Sequence, residues 1–317
     1  MQQVLITGGA GFIGSSLADQ LIAEGYWVTA VDNFDPFYEE EVKRKNIEAL
    51  MAHPRFKLVE ADICDLPTLR EQLTDSYAVV VHIAAKAGVH ASVKDPIGCQ
   101  QANVMGTQNL LELAKEIGIK QFVFASSSSV YGVNPNVPWR EEEELMPISP
   151  YASSKLSCEL LGHVYTHLYG IRFLALRFFT VYGPRQRPDL AIHKFARMII
   201  NKVPLTMYGD GSTRRDYTYI DDLLKGIRAA MNYIDSDYEI INLGNHRTVS
   251  LKEMISTIEK VFEEKAIIQQ LPMQPGDVPQ TFADISKAQE LLGYQPHTTF
   301  EEGIRQFRDW MISLEIG

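Results

Sequence analysis

Tyr151 and Lys155 stand four residues apart in Tyr151-Ala152-Ser153-Ser154-Lys155, at the start of an apolar-periodic segment through Leu156, Leu160, Leu161 and Val164. On a helix this spacing puts both side chains on one face, about 6 Å apart at Cβ. A tyrosine near pKa 10 is a poor base at neutral pH. A nearby lysine cation favours the phenolate and brings it toward the working range. The same spacing is common on ordinary helix surfaces, so its meaning depends on what precedes it.

What precedes it is a pattern suited to a dinucleotide. Val4-Leu5-Ile6 is a short apolar run ending in Thr7, which reads as a buried strand. Gly8-Gly9-Ala10-Gly11-Phe12-Ile13-Gly14 follows, then a helical pattern through Ile13, Leu17, Leu21 and Ile22. Glycines at 8, 11 and 14 allow a tight turn, close backbone approach to a diphosphate and close strand–helix packing, with the helix N-terminus facing the phosphates. Val28 to Val31 reads as a second strand. Asp32 ends it, 18 residues after Gly14, where a carboxylate can bind the adenosine ribose. An acid there favours NAD over NADP, since a 2′-phosphate is repelled. The alternative is a flexible glycine turn with an incidental aspartate.

The 317 residues can bury a large core, and the net charge of −10 argues against a broad nucleic-acid surface. Cys64, Cys99 and Cys158 are widely spaced, fit no metal-ligand pattern and read as buried thiols of a reducing compartment, so no metal is expected. The chain opens directly into a strand, and no apolar run approaches 18 residues. A signal peptide and a membrane span are therefore not expected, and the location reads as cytoplasmic. Glu141 to Glu144 reads as a solvated loop.

Strands and helices alternate through the first half. Lys57–Glu60, Ala78–His82, Gln121–Ala125 and Arg172–Leu176 read as further parallel strands, with helices over Asn103–Ile117 and Tyr151–Tyr169. The pattern predicts an α/β fold, a doubly wound parallel sheet of the Rossmann type with ligands at the C-terminal strand ends. Residues 1–177 are expected to form the NAD-binding domain, also receiving about 217–245. Residues 178–317 are expected to form a smaller substrate-binding α/β lobe, with helices over 191–200, 221–232, 251–262 and 300–311 and a strand over 240–243 that could return to the sheet. The substrate cleft should lie between lobe and sheet.

With these residues placed, the chain resembles the extended short-chain dehydrogenase/reductase family, specifically its nucleotide-sugar epimerases and dehydratases. The resemblance is carried by Thr7 to Gly14, His82-Ile83-Ala84-Ala85, Ser127-Ser128-Ser129-Val130-Tyr131-Gly132, Tyr151-x-x-x-Lys155 and Arg215-Asp216-Tyr217. It implies a tightly bound NAD, held by Gly8, Gly11, Phe12, Ile13, Gly14, Asp32, Asn33, Asp62, Ile63, Ala84, Ala85, Lys86, Asn103, Tyr151 and Lys155. It implies Tyr151 as base, Lys155 as its electrostatic partner and Ser127 as the hydrogen-bonding group at the reacting sugar oxygen. It also implies a homodimer, through the helices 103–117 and 151–169. Apolar faces there could equally pack inside one monomer.

In relatives of dehydratase type the two residues after the catalytic Ser/Thr are an acid pair. Here they are Ser128 and Ser129, so the general acid and base needed for elimination at C5–C6 are missing there. That favours 4-epimerisation through a 4-keto sugar. Phe178 to Asp189 resembles the UDP-glucuronate 4-epimerases, as does Met273 to Val278. The candidate substrate-binding set is therefore Ser127, Ser128, Thr180, Arg187, Arg215, Asp277 and His90, with Thr180 and Arg187 meeting the uronate carboxylate. Such relatives commonly carry arginine where His90 stands. A neutral UDP-hexose or N-acetylhexosamine 4-epimerase stays open, as do a dehydratase or decarboxylase and a non-catalytic NAD-sensing relative.

Overall fold

The computed structural model describes residues 2–272 and 278–316. Its strands are β1 (Gln3–Thr7), β2 (Trp27–Asp32), β3 (Phe56–Glu60), β4 (Val79–His82), β5 (Gln121–Ser127), β6 (Arg172–Phe178), β7 (Thr180–Tyr182), β8 (Leu205–Tyr208), β9 (Arg214–Tyr219), β10 (Tyr238–Leu243), β11 (Thr248–Ser250) and β12 (Ile268–Leu271). Its α-helices are α1 (Phe12–Ala23), α2 (Glu40–Met51), α3 (Leu66–Gln72), α4 (Val89–Lys94), α5 (Pro96–Gln100), α6 (Gly106–Ile117), α7 (Pro150–Tyr169), α8 (Ala191–Ile200), α9 (Ile220–Asn232), α10 (Leu251–Phe262), α11 (Ser286–Leu292) and α12 (Phe300–Ile316).

Near-continuous apolar strands such as Val4-Leu5-Ile6 and Val79-Val80-Val81 are buried on both faces, as helices on either side of a parallel sheet require. The seven-stranded sheet runs β3-β2-β1-β4-β5-β6-β10, all parallel. The order reverses between β1 and β4, which opens a crevice at the C-terminal strand ends. The returning strand is β10, paired with β6 from Tyr238↔Phe173 to Leu243↔Phe178. Outside this sheet, β7 pairs with β9 and β9 with β11, so Thr180 and Arg215 share a small second sheet.

Three expectations are corrected. The helix expected to begin at Asn103 is instead reached through a π-helical turn, Gln101–Met105, that continues into α6. Cys64 is exposed, although Cys99 and Cys158 are buried. Glu141 is not simply solvated: its carboxylate accepts the Asn242 amide at 2.7 Å.

Helix α7 distributes its side chains in an unexpected way. Its buried face is Ala152, Ser154, Lys155, Cys158, Glu159, Gly162 and Tyr165, whereas Leu160, Val164 and Leu168 are exposed. Close approach to the sheet explains the small residues. A Cβ at Gly162 would lie 2.3 Å from the Phe173 ring of β6. The helix begins where Ser149 caps the Ala152 amide and Pro150 takes the first turn, and it ends at Gly170 with φ 63°.

Candidate active site

The turn after β1 is built by close backbone contact. Gly8 adopts φ 70°, and a Cβ on Gly14 would lie 2.1 Å from the Gly8 carbonyl oxygen. Only glycine fits the second position, and the first favours it strongly. Asp32 closes the turn from β2. Its Oδ2 accepts the Ala10 amide at 3.0 Å and its Oδ1 the Phe34 amide at 2.9 Å. Each oxygen keeps a lone pair for a ligand hydroxyl. Asn33 donates to Asp62 Oδ2 at 2.9 Å, which joins the ends of β2 and β3.

A cavity of about 410 Å³ runs along these strand ends. Gly8, Gly11, Phe12, Ile13, Gly14, Asp32, Asn33, Asp62, Ile63, Ala84, Ala85 and Lys86 line one part of it, and Ser127, Tyr151, Lys155, Thr180 and Arg187 the other. These cofactor and substrate candidates thus share one space. Asn103 does not line it. Buried in the π-turn, it accepts the Lys86 amide at 2.8 Å and donates to Ser154 Oγ at 2.8 Å, so it fixes the wall from behind. Ser128, Arg215 and His90 also lie outside the lining. His90 is exposed on α4, and the Arg215 guanidinium donates to the Arg214 carbonyl. Asp277 lies outside the described residues. Sequence reasoning missed Phe37, Tyr38 and Lys43, which belong to the lining but to no motif; Phe178 and Phe179, from the Phe178-to-Asp189 stretch, line it as well.

Ser127 Oγ accepts from Ser129 Oγ at 2.9 Å and from the Ser129 amide at 3.2 Å. Its own hydroxyl proton is therefore free to point into the cavity. Burial raises the Tyr151 pKa above its ordinary value, and the Ser127 hydrogen bond and the Arg187 cation offset part of that rise. Lys155, the expected electrostatic partner, is engaged on the strand side. Lys155 Nζ lies 5.9 Å from the Tyr151 ring centroid and donates to the Ala125 carbonyl at 2.6 Å. Lys155 is itself buried, which pulls its pKa down to about 8.

Arg187 is held by two bonds to Asp189, at 3.0 and 2.8 Å, and stacks on Phe37 with 5.0 Å from Cζ to the ring centroid. Arg185 points elsewhere, pairing with Asp19 of α1 at 2.6 Å. Lys86 pairs with Asp95 at 3.0 Å. Behind the catalytic strand end, Ser126 Oγ donates to Glu159, whose carboxylate also binds the buried Arg177 at 3.0 and 2.8 Å. Arg177 reaches Tyr131 Oη at 2.9 Å, and Tyr131 donates to Asn242 of β10 at 2.7 Å.

The arrangement suits a dinucleotide beside a small polar substrate. The glycine turn and the α1 N-terminus can hold a diphosphate, Asp32 a ribose, and Tyr151 with Ser127 an alcohol to be deprotonated. Residues 5–307 match the family described as GDP-mannose 4,6 dehydratase. A UDP-glucuronate 4-epimerase of Thermodesulfobacterium geofontis is 40% identical over 314 residues, which cover 98% of this chain and 96% of that one. The crystal structure of a UDP-glucuronic acid 4-epimerase from Bacillus cereus, in complex with UDP-glucuronic acid and NAD, has a TM-score of 0.91. It is 39% identical and covers 99% of this chain and 100% of its own. A UDP-glucose 4-epimerase from Thermotoga maritima, solved with UDP-glucose, also has a TM-score of 0.91 at 31% identity, covering 99% of this chain and 100% of its own. The chain belongs to the GDP-mannose 4,6 dehydratase family, among its nucleotide-sugar epimerases of short-chain dehydrogenase/reductase type.

Proposed function

We infer that this protein is an NAD-dependent UDP-sugar 4-epimerase acting on UDP-glucuronate to give UDP-galacturonate. The observation that carries the reaction type is the placement of acids. Among the described residues, the carboxylates lining the cavity are Asp32, Asp35 and Asp62, all at or beyond the ends of β2 and β3. Ser127 ends β5, on the far side of β1 and β4, and Tyr151 lines the cavity from the first turn of α7. Among the described residues, no lining carboxylate stands beside them to drive elimination across C5–C6. Proton removal at an alcohol, and its reversal, is what remains.

Gly8, Gly11, Phe12, Ile13, Gly14, Asp32, Asn33, Asp62, Ile63, Ala84, Ala85 and Lys86 would hold NAD, which when bound accepts a hydride from sugar C4 and returns it. Tyr151 takes the 4-hydroxyl proton and later gives it back. Ser127 donates to the reacting oxygen, since its own oxygen is already occupied by Ser129. Lys155 retains two N–H groups beyond its bond to Ala125 for a ribose hydroxyl and the tyrosine oxygen. Thr180 and Arg187 meet the uronate carboxylate, with Ser128 and Arg215 supporting the substrate from outside the lining.

The uronate reading rests on Thr180 and Arg187 opening into the same cavity as Tyr151. A neutral hexose is the second reading, supported by the pairing of Arg187 with Asp189 and by the Thermotoga neighbour. Incubation with UDP-glucuronate and UDP-glucose separately, read by NMR, decides between them. Formation of UDP-galacturonate is expected, and conversion of UDP-glucose alone would reject the uronate. Tyr151→Phe should abolish turnover while NAD stays bound; unchanged turnover would reject the mechanism.

We also propose a homodimer. Leu160, Val164 and Leu168 recur at i, i+4 and i+8 on α7, at 62%, 45% and 59% exposure, with Met105 and Ile97 exposed nearby in the chain entering α6. A second copy of the same face would cover this stripe. The domain assignment follows the sheet: residues 1–177 with β10 carry the cofactor, and the rest of 178–317 the sugar. A cytoplasmic location is consistent with the free thiols. No helix among the described residues is long and apolar enough to cross a membrane.

A further inference from the structure

Helix α2 packs on the molecule through Lys43, Asn46, Ile47 and Leu50. That is an i, i+3, i+4, i+7 stripe, where four apolar residues would be ordinary. Two of the four are polar: Asn46 contacts the glycine turn, and Lys43 lines the cavity that the turn borders. Asn46 Nδ2 donates to the Ala10 carbonyl at 3.1 Å, which pins α2 against that turn. Lys43 is 5% exposed and lines the cavity. Its ammonium donates to the Asp35 carbonyl and sits 4.6 Å from the Tyr38 ring centroid. The Tyr38 hydroxyl reaches the turn itself, 3.9 Å from where a Gly11 Cβ would be.

A buried ammonium has three N–H donors, and a cation removed from water is costly unless paired. Among the described residues no carboxylate lies within ion-pair distance of Lys43. Asp32, Asp35 and Glu40 favour its charge from farther away, and Arg187 opposes it. The nearest acid on β2, Asp32, is already occupied by two backbone amides. An anion at the glycine turn would use the remaining donors and settle the charge.

We propose that Lys43, positioned by Asn46 and backed by Tyr38, is a direct ligand of the diphosphate of the bound dinucleotide. The assignment rests on the cofactor reading given above. In it the cradle has two sides: the backbone amides at the α1 N-terminus on one, and a buried cation from α2 on the other. The segment from Asp35 to Lys43 then acts as a strap. Phe37, near its start, stacks under Arg187, so the strap also reaches the substrate side of the cavity.

Lys43→Met keeps the stem and removes the charge, and so separates packing from pairing. Dissociation constants for NAD, ADP-ribose and adenosine are measured by calorimetry on the nucleotide-stripped full-length chain. Loss of one charge-assisted contact predicts a roughly tenfold to hundredfold weaker binding of NAD and of ADP-ribose, with adenosine unchanged. Lys43→Arg should retain most of the affinity. If Lys43→Met does not fold, Lys43→Gln is read the same way. Equal losses for adenosine and ADP-ribose would overturn the assignment, leaving Lys43 as a shaping residue only. So would no loss for either variant. A wild-type chain that binds neither NAD nor ADP-ribose would overturn the cofactor reading and this one with it. A wild type that binds both, matched by Lys43→Met, overturns Lys43 alone.

Discussion

On the proposed uronate reading, Arg187 is the residue on which substrate chemistry turns. A 4-keto uronate is a β-keto acid and loses CO₂ when its carboxylate bond aligns with the carbonyl π-system. An epimerase must hold that carboxylate out of alignment for as long as the ring turns. Arg187 can do so only with the donors that Asp189 leaves free, because Nε and Nη2 are already bonded to it. Thr180, at the start of β7, offers a hydroxyl to the same cavity. Arg187→Ala and Thr180→Val should each lower epimerisation of UDP-glucuronate and raise release of a UDP-4-keto-pentose, by roughly tenfold if one charge-assisted bond is lost. Detection is by CO₂ release and NMR. Normal epimerisation without CO₂ in both variants would remove these two residues from the carboxylate site. The neighbouring Tyr151 illustrates a different balance: desolvation outweighs the help of Ser127 and Arg187, so its pKa stays above the ordinary tyrosine value.

At the scale of elements, the parts read correctly from sequence are those whose chemistry is contiguous. The strand, glycine turn and Asp32 lie within 32 residues, and Ser127 ends one strand. Lys43 and Tyr38 carried no motif, because what brings them to the turn is the docking of α2 through Asn46, a tertiary contact. Helix α7 left two readings open, because its apolar stripe could pack inside one monomer or against a second copy. In the fold its core face is polar instead, with Lys155 and Glu159 reaching Ala125 and Arg177. Asp216 shows the same limit. In sequence it is the middle of Arg215-Asp216-Tyr217; in the fold it clasps β9 to two loops, accepting the Asn245 and Ala283 amides at 2.7 and 3.1 Å. Burial outweighs these bonds and pushes its pKa up to about 7. The unfolded chain would release this proton near pH 4, so between about pH 4 and 7 the folded state holds the extra proton. Its contribution is therefore fully present at low pH and is lost as pH rises through 7. Relative to the non-titrating Asp216→Asn, the wild-type stability margin should narrow by on the order of 2 kcal/mol from pH 5 to 8. Denaturant melts at both pH values test this, and a margin that does not change would refute it.

For the whole molecule, the proposed dimer would divide the two faces of α7 between catalysis and assembly. The inner face commits its polar groups to Tyr151, Lys155 and the Glu159–Arg177 pair, so it gains little from apolar burial. The outer face carries Leu160, Val164 and Leu168 instead, and a stripe of this kind is costly to leave in water. Covering it with its own copy would also press α7 onto the sheet. Gly162 there admits no Cβ, so the helix has no slack against Phe173. In the proposed dimer, assembly and the placement of Tyr151 would be linked through one rigid helix. Leu160→Glu with Leu168→Glu puts two charges on each protomer at that face, and like charges opposed across it are strongly unfavourable. The doubly substituted chain should sediment as a monomer while the wild type sediments as a dimer, and its far-ultraviolet spectrum should be unchanged, since both side chains are already exposed. The linkage predicts more than a change of mass: the monomer's kcat should fall by about tenfold or more with its affinity for NAD kept, because Tyr151 loses its support while the glycine turn does not. A wild-type monomer, or a variant that remains dimeric, rejects the interface. A monomer with wild-type kcat leaves the interface standing and rejects the linkage to catalysis.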